Sequence, residues 1–139
     1  ETEDNPAAID YRDWHVPLGR RFRALKLWFV LRSYGAENLR TFIRSHVAWA
    51  EALESKVIND SRLELTAPRT LALVCFRHID GNHATRELAD AINASGSAYV
   101  TPSVTDDVAY IRVSIGSTWT EQRHVEDLWN LIDRNANLK

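Results

Sequence analysis

Five histidines, His15, His46, His78, His83 and His124, are the first candidates for chemistry, because closely spaced imidazoles can hold a transition metal. Their spacing matches no metal-ligand pattern. His78 and His83 flank the Asp80-Gly81-Asn82 turn and read as solvated loop side chains, so no metal is expected. The five glycines stand apart, at Gly19, Gly35, Gly81, Gly96 and Gly116, and form no phosphate-cradling loop. No Ser, Cys or Thr sits in a nucleophile elbow. The single cysteine, Cys75, lies within an apolar run with no His or Lys beside it to lower its pKa, and reads as a small buried hydrophobe. One local charge feature remains, the cluster Arg20, Arg21, Arg23 and Lys26. It could grip phosphates. A solvated rim around an apolar helix is the commoner arrangement, and with Trp28 and Phe29 flanking the cluster rather than exposed stacking aromatics on a sheet, no nucleic-acid partner is expected.

The whole chain supports that restraint. Its 139 residues suffice for one domain with an appended arm, and 45% apolar with 26% charged residues is an ordinary globular composition. A formal charge of -2 gives no general pull toward polyanions or membrane surfaces. One cysteine permits no internal disulfide, which makes a reducing, cytoplasmic setting the expectation. No apolar run approaches the ~18 residues of a membrane span. The lack of any Met suggests that Glu1 is not the natural start and that the chain is a fragment.

The elements that must position these residues follow from periodicity. Glu1 to Ala8 is an acidic connector, and Tyr11, Trp14 and Val16 alternate in an extended entry that Pro17 keeps out of the helical region. A helix then runs from Leu18 to Gly35 with almost no polar face, more apolar than one small domain can cover. A second, from Ala36 to Ser55, carries its stripe on Leu39, Phe42, Ile43, Val47, Ala50 and Leu53. Leu63 and Leu65 mark a short strand, Thr70 to Phe76 a central one, Ala98 to Thr101 a third and Val108 to Ser114 a fourth. A helix with Leu88, Ala91 and Ile92 inward separates the second strand from the third. The last helix opens at Ser117 to Thr120, with Thr118 and Glu121 at capping-box spacing, and buries Val125, Leu128, Trp129 and Ile132. Two strand pairs, each followed by a helix, predict an α+β fold: a four-stranded, mainly antiparallel sheet with helices on one face. Arg112, alternating into the fourth strand, needs a partner.

Taken residue by residue, the chain is an α+β domain with an arm and no assigned chemistry. Its longer blocks say more. DYRDWHVPLGRRFRALKLWFVLRSYG from Asp10 to Gly35, APRTLALVCFR from Ala67 to Arg77, INASG from Ile92 to Gly96 and IRVSIGSTWTEQRHVEDLW from Ile111 to Trp129 resemble, in order, the C-terminal portion of the aromatic-L-amino-acid decarboxylases. The likeness is greatest to the tyrosine, tryptophan and DOPA decarboxylases.

The resemblance implies the C-terminal small domain of an aspartate-aminotransferase-type (fold type I) enzyme that uses pyridoxal 5'-phosphate. Residues 1–35 would be the segment after the catalytic loop together with an interdomain helix, and residues 36–139 the small domain. It implies a homodimer, an N-terminal large-domain partner that carries the cofactor lysine, and conversion of an aromatic L-amino acid to its amine and CO2. An aromatic aldehyde synthase of the same family and a non-catalytic α+β module descended from it are the alternatives. The family's deciding Tyr or Phe corresponds to a position before Glu1. No catalytic or cofactor-binding residue is expected in this chain, since Lys26, Lys56 and Lys139 lack the family's lysine context. Three substrate-binding positions are carried over. Gly19 falls where relatives have Gly or Ser at an active-site wall, Leu18 lines the same wall, and Arg112 matches a strand arginine that related aminotransferases use for the substrate carboxylate.

Overall fold

The computed structural model describes Gly19 and residues 21–137. Their elements are α1 (Arg23–Tyr34), α2 (Ala36–Asn59), β1 (Leu63–Leu65), β2 (Leu73–His78), α3 (Asn82–Ala94), β3 (Thr101–Thr105), β4 (Val108–Ser114) and α4 (Gln122–Asn135). They divide into two compact units, with the boundary between Ala36 and Glu37.

In the first unit α1 ends at Gly35, whose φ of 75° lies in the left-handed region and whose N–H donates to the Leu31 carbonyl at 3.0 Å. None of its residues is buried: Leu27, Trp28 and Phe29 are all more than half exposed. The helix starts at Arg23 rather than at Leu18, which lies outside the described residues.

The second unit is the α+β layer that the strand and helix order predicts. Its sheet has the order β1-β2-β4-β3, and every neighbouring pair is antiparallel. Alternation sends Val74, Phe76, Ala109, Ile111 and Val113 to one face, where they are buried. Against them pack Ala50, Leu53 and Val57 of α2, Leu88, Ala89 and Ile92 of α3, and Val125, Leu128, Leu131 and Ile132 of α4, in one core. The opposite face carries Glu64, Cys75, Arg77, Thr101, Tyr110 and Arg112, none of them fully buried. β3 and β4 join through Asp106 and Asp107, at φ 49° and 62°, the left-handed pair that a two-residue hairpin requires and that Asp tolerates.

Several boundaries differ from those read off the periodicity, each for a local polar reason. β3 begins at Thr101, not Ala98, because the Asn93 side chain takes both backbone groups of Val100 and so replaces a strand partner. β2 begins at Leu73 because residues 70 to 73 close a turn, with Leu71 at φ 51° and Leu73 N–H donating to the Thr70 carbonyl at 3.1 Å. α2 continues to Asn59, and its buried stripe runs His46, Ala50, Leu53, Val57, leaving Ile43 56% exposed. The cap of α4 is Glu121 itself: its carboxylate accepts from the His124 N–H while His124 Nδ1 accepts from the Glu121 N–H. Thr118 takes no part in this cap.

Candidate functional site

Arg112 is the described site residue with a defined strand setting. It lies on β4, opposite Cys75 of β2 on one side and Thr101 of β3 on the other, on the sheet face turned away from the helices. Its side chain is exposed and forms no ion pair or hydrogen bond among the described residues. The intramolecular partner expected for it is therefore not found among them. Two positions along the same face, the Tyr110 hydroxyl lies 3.1 Å from Thr105 Oγ1. Both line a cavity of about 360 Å3 with Thr66, Cys75 and Asp106. At the strand's far edge Arg77 is paired with Glu64. Among the described residues this face therefore holds one unengaged cation beside small polar groups, able to receive an anion but offering no activated thiol.

Cys75 confirms the last point. Burial pushes its thiol up, and the nearby Arg112 guanidinium offsets that only in part. It stays protonated and inert. Sequence reading found no charged neighbour for Cys75, because Arg112 reaches it across strands, through a register that no local spacing displays.

Gly19 is exposed, and a Cβ built on it would meet nothing within 4 Å, so the described structure leaves room there for a larger residue. Leu18 lies outside the described residues, as does His15. Gly19 and Arg112 belong to different units.

Two of the described histidines, His78 and His46, are buried and structural. His78 is 3% exposed, not a solvated loop residue. Its Nε2 sits 3.0 Å from the Ala136 carbonyl oxygen and its Nδ1 3.1 Å from the Asp80 backbone nitrogen, contacts that tie the ring to the end of α4 and to the turn after β2. His46 is equally buried, between Phe42 and Trp49 at ring separations of 4.0 and 5.2 Å. Burial lowers its pKa, and its Nε2 has no hydrogen-bond partner. Among the described residues no three His, Cys, Asp or Glu side chains are grouped to hold a metal.

The described residues do not fit a pyridoxal phosphate. Lys26 is on exposed α1, and the Lys56 ammonium sits 5.7 Å from the Trp129 ring centroid, beside clefts that the carboxylates of Glu126 and Asp60 also line, where a phosphate would be repelled. Asp60 is paired with Arg62, whose hydrogen bond holds its carboxyl below the usual range.

Comparison with known proteins gives a consistent result. Residues 1–79 match the family model described as the pyridoxal-dependent decarboxylase conserved domain. The chain is 42% identical to tyrosine/DOPA decarboxylase 1 of Papaver somniferum, over 96% of this chain and 29% of that protein. Among solved structures it is similar to Catharanthus roseus tryptophan decarboxylase in complex with L-tryptophan, at 39% identity and a TM-score of 0.78, covering 93% of this chain and 29% of that one. It is equally similar to Rhodiola rosea 4-hydroxyphenylacetaldehyde synthase, at 44% identity and a TM-score of 0.80, covering 92% and 29%. The chain thus spans under a third of the length of these relatives.

Proposed function

The chain belongs to the aromatic-amino-acid branch of the pyridoxal-dependent decarboxylase family, and on that premise we propose that it is the C-terminal part of an enzyme releasing CO2 and an amine from an aromatic L-amino acid. The observation that carries this is the continuous likeness, near 40% identity across more than nine-tenths of the chain, to decarboxylases named for tyrosine, DOPA and tryptophan. The reaction needs pyridoxal phosphate, which supplies the electron sink for the carbanion left by CO2 loss. In this reading the cofactor is held mainly by an N-terminal large domain, as the family likeness implies. Residues 1–35 form the link and interdomain helix and residues 36–139 the small domain. The all-round apolar exposure of α1 is the reason to expect the large domain, and a homodimer around it. The assembly is cytoplasmic; no described helix is long and apolar enough to cross a membrane.

Within this proposal Gly19 and Leu18 line the wall that receives the aromatic ring, and Arg112 faces the substrate carboxylate. Gly19 leaves space for an indole or catechol. The second reading is an aromatic aldehyde synthase, favoured by the equally high identity to the Rhodiola rosea enzyme.

The test is product analysis on the intact enzyme. A visible cofactor absorbance band and amine formed in step with CO2 from tyrosine, tryptophan or DOPA are expected. Aldehyde and ammonia in place of amine would transfer the assignment to the second reading. An intact protein with no cofactor band and no turnover would leave only a non-catalytic module.

A further inference from the structure

Asp80-Gly81, in the turn between β2 and α3, is the one place among the described residues where an aspartate or asparagine precedes a glycine. The Asp80 side chain is 71% exposed, and its described partner, His78 Nδ1, stands 3.5 Å away, at the far limit of a hydrogen bond. Gly81 has φ 96°, and a Cβ built on it would meet nothing within 4 Å, so the space beside it is open. The other described aspartates lack this setting. Asp90, Asp127 and Asp133 lie within helices, where the next N–H is committed to the helical ladder. Asp60 is held by Arg62 at 2.6 Å, and Asp106 and Asp107 are followed by residues whose own side chains crowd the nitrogen.

From this we infer that Asp80 is a modification site, where the chain rearranges to an isoaspartyl linkage, and that Thr85 governs how fast. The Gly81 nitrogen attacks Asp80 Cγ. A C–N bond forms, the amide proton and a carboxyl OH leave as water, and a cyclic imide results. Water then adds back to the ring. Opening at Cγ restores Asp80, whereas opening at the main-chain carbonyl leaves the backbone running through Cβ and Cγ with a free carboxylate beside it. One water leaves and one returns, so no cofactor or oxidant is required. The folded turn resists the first step. Gly81 N–H donates to the His78 carbonyl at 3.1 Å, and the Gly81 carbonyl accepts from Thr85 N–H at 3.1 Å and Thr85 Oγ1 at 2.8 Å. Thr85 Oγ1 in turn accepts from His78 N–H at 3.1 Å. Thr85 and His78 are 1% and 3% exposed, so these bonds fasten the turn to the core. Ring closure must swing the Gly81 nitrogen toward Cγ, and it proceeds when the turn opens locally. The product is one methylene longer than the turn it replaces. Gly81 then cannot regain all its partners, and α3 begins from a loosened first turn.

The test is ageing of the intact protein at mildly acidic pH and physiological temperature, followed by digestion with a protease that cuts before aspartate but not before isoaspartate, and by electron-transfer fragmentation of the peptides. The expected result is a growing fraction uncut at Asp80, a transient form lighter by one water, and no such change at Asp60 or Asp106. Hydrogen exchange of the aged protein should quicken in the first turn of α3. Asp80→Glu should abolish the conversion, because its imide ring would be six-membered and closes far more slowly. Thr85→Ala removes two of the hydrogen bonds that hold the turn and should speed conversion about tenfold, the scale of one net hydrogen bond in the opening equilibrium. Thr85→Ser, which keeps the hydroxyl, should convert at the rate of the unmodified protein. Conversion at Asp80 no greater than at Asp106 would overturn the site. A folded Thr85→Ala protein that ages at the unmodified rate, or a Thr85→Ser protein that ages as fast as Thr85→Ala, would overturn the role of Thr85.

Discussion

The Asn93 side chain pairs with Val100 in both directions: Nδ2 donates to the Val100 carbonyl at 3.0 Å, and Oδ1 accepts from the Val100 N–H at 2.7 Å. One carboxamide thus does the work of a neighbouring strand and fixes where the chain turns from α3 into β3. Asn82 repeats the device at the other end of α3, donating to the Asp107 carbonyl at 2.6 Å and accepting from the Ala109 N–H at 2.8 Å. The helix is therefore clamped to the β3–β4 hairpin at both ends. Asn93→Ala leaves two backbone groups beside a 2% exposed Val100 without partners, and the expected loss is about 1–3 kcal/mol in urea unfolding. Asn93→Asp keeps the acceptor and should cost less. Equal effects from the two substitutions would show that the acceptor half of the clamp contributes nothing.

Acid should destabilise the fold in two separate windows. His46 is buried with its pKa lowered by desolvation, so the folded state favours the neutral ring. The unfolded chain then binds the proton more readily, and stability falls as pH drops through the ordinary histidine value of 6.5 until the folded ring also titrates. His46→Leu should flatten that portion of a stability-versus-pH curve. Asp60 acts lower. Its carboxyl is depressed chiefly by the hydrogen bond from Arg62, so its contribution is complete above the ordinary value of 3.8 and is lost as pH falls through the folded value. An Asp60→Asn protein whose acid limb matched that of the unmodified protein would remove this account.

The architecture was legible in the sequence wherever burial decides structure, and illegible where side-chain amides and cross-strand register do. Ala109, Ile111, Val113 and Ile115 alternate cleanly, and all four are buried as their period requires. His78 was misread because turn-flanking histidines are usually solvated, whereas here the end of α4 covers the ring and supplies the Ala136 carbonyl. The Cys75–Arg112 pairing was invisible for a different reason: the two residues are far apart in sequence and meet only through β2–β4 pairing.

Arg62 ties the start of β1 to the end of α4. Its guanidinium reaches Asp60 Oδ2 and Asp133 Oδ1, each at 2.6 Å, and Asn137 Oδ1 at 2.9 Å. A planar fork can serve these three acceptors together, and an ammonium cannot match the geometry. Arg62→Lys should therefore lower stability by about 1–2 kcal/mol. Hydrogen exchange should quicken first in the last turn of α4, where Asp133 and Asn135 lie. Uniform quickening across the sheet would instead mean that α4 does not loosen independently.

The two proposed substrate positions that can be tested separately, Gly19 and Arg112, should fail in different kinetic parameters. Gly19→Ser adds a hydroxyl where the described structure has open space, and in the intact enzyme it should raise kcat/KM for tyrosine relative to tryptophan. An unchanged ratio would remove Gly19 from the specificity wall. Arg112 poses the sharper question, because a guanidinium paired with a carboxylate stabilises the ground state from which CO2 must leave. If Arg112 holds that carboxylate, Arg112→Gln raises KM while kcat stays level or rises, since an interaction stronger in the ground state than in the transition state has been removed. If Arg112 instead bridges to another part of the assembly, the same substitution lowers thermal stability and leaves KM alone. Arg112→Lys distinguishes the two further. A carboxylate site built on a bidentate fork is only partly restored by lysine, so an intermediate KM is expected. A KM equal to that of the unmodified enzyme in both variants would exclude Arg112 from the substrate site.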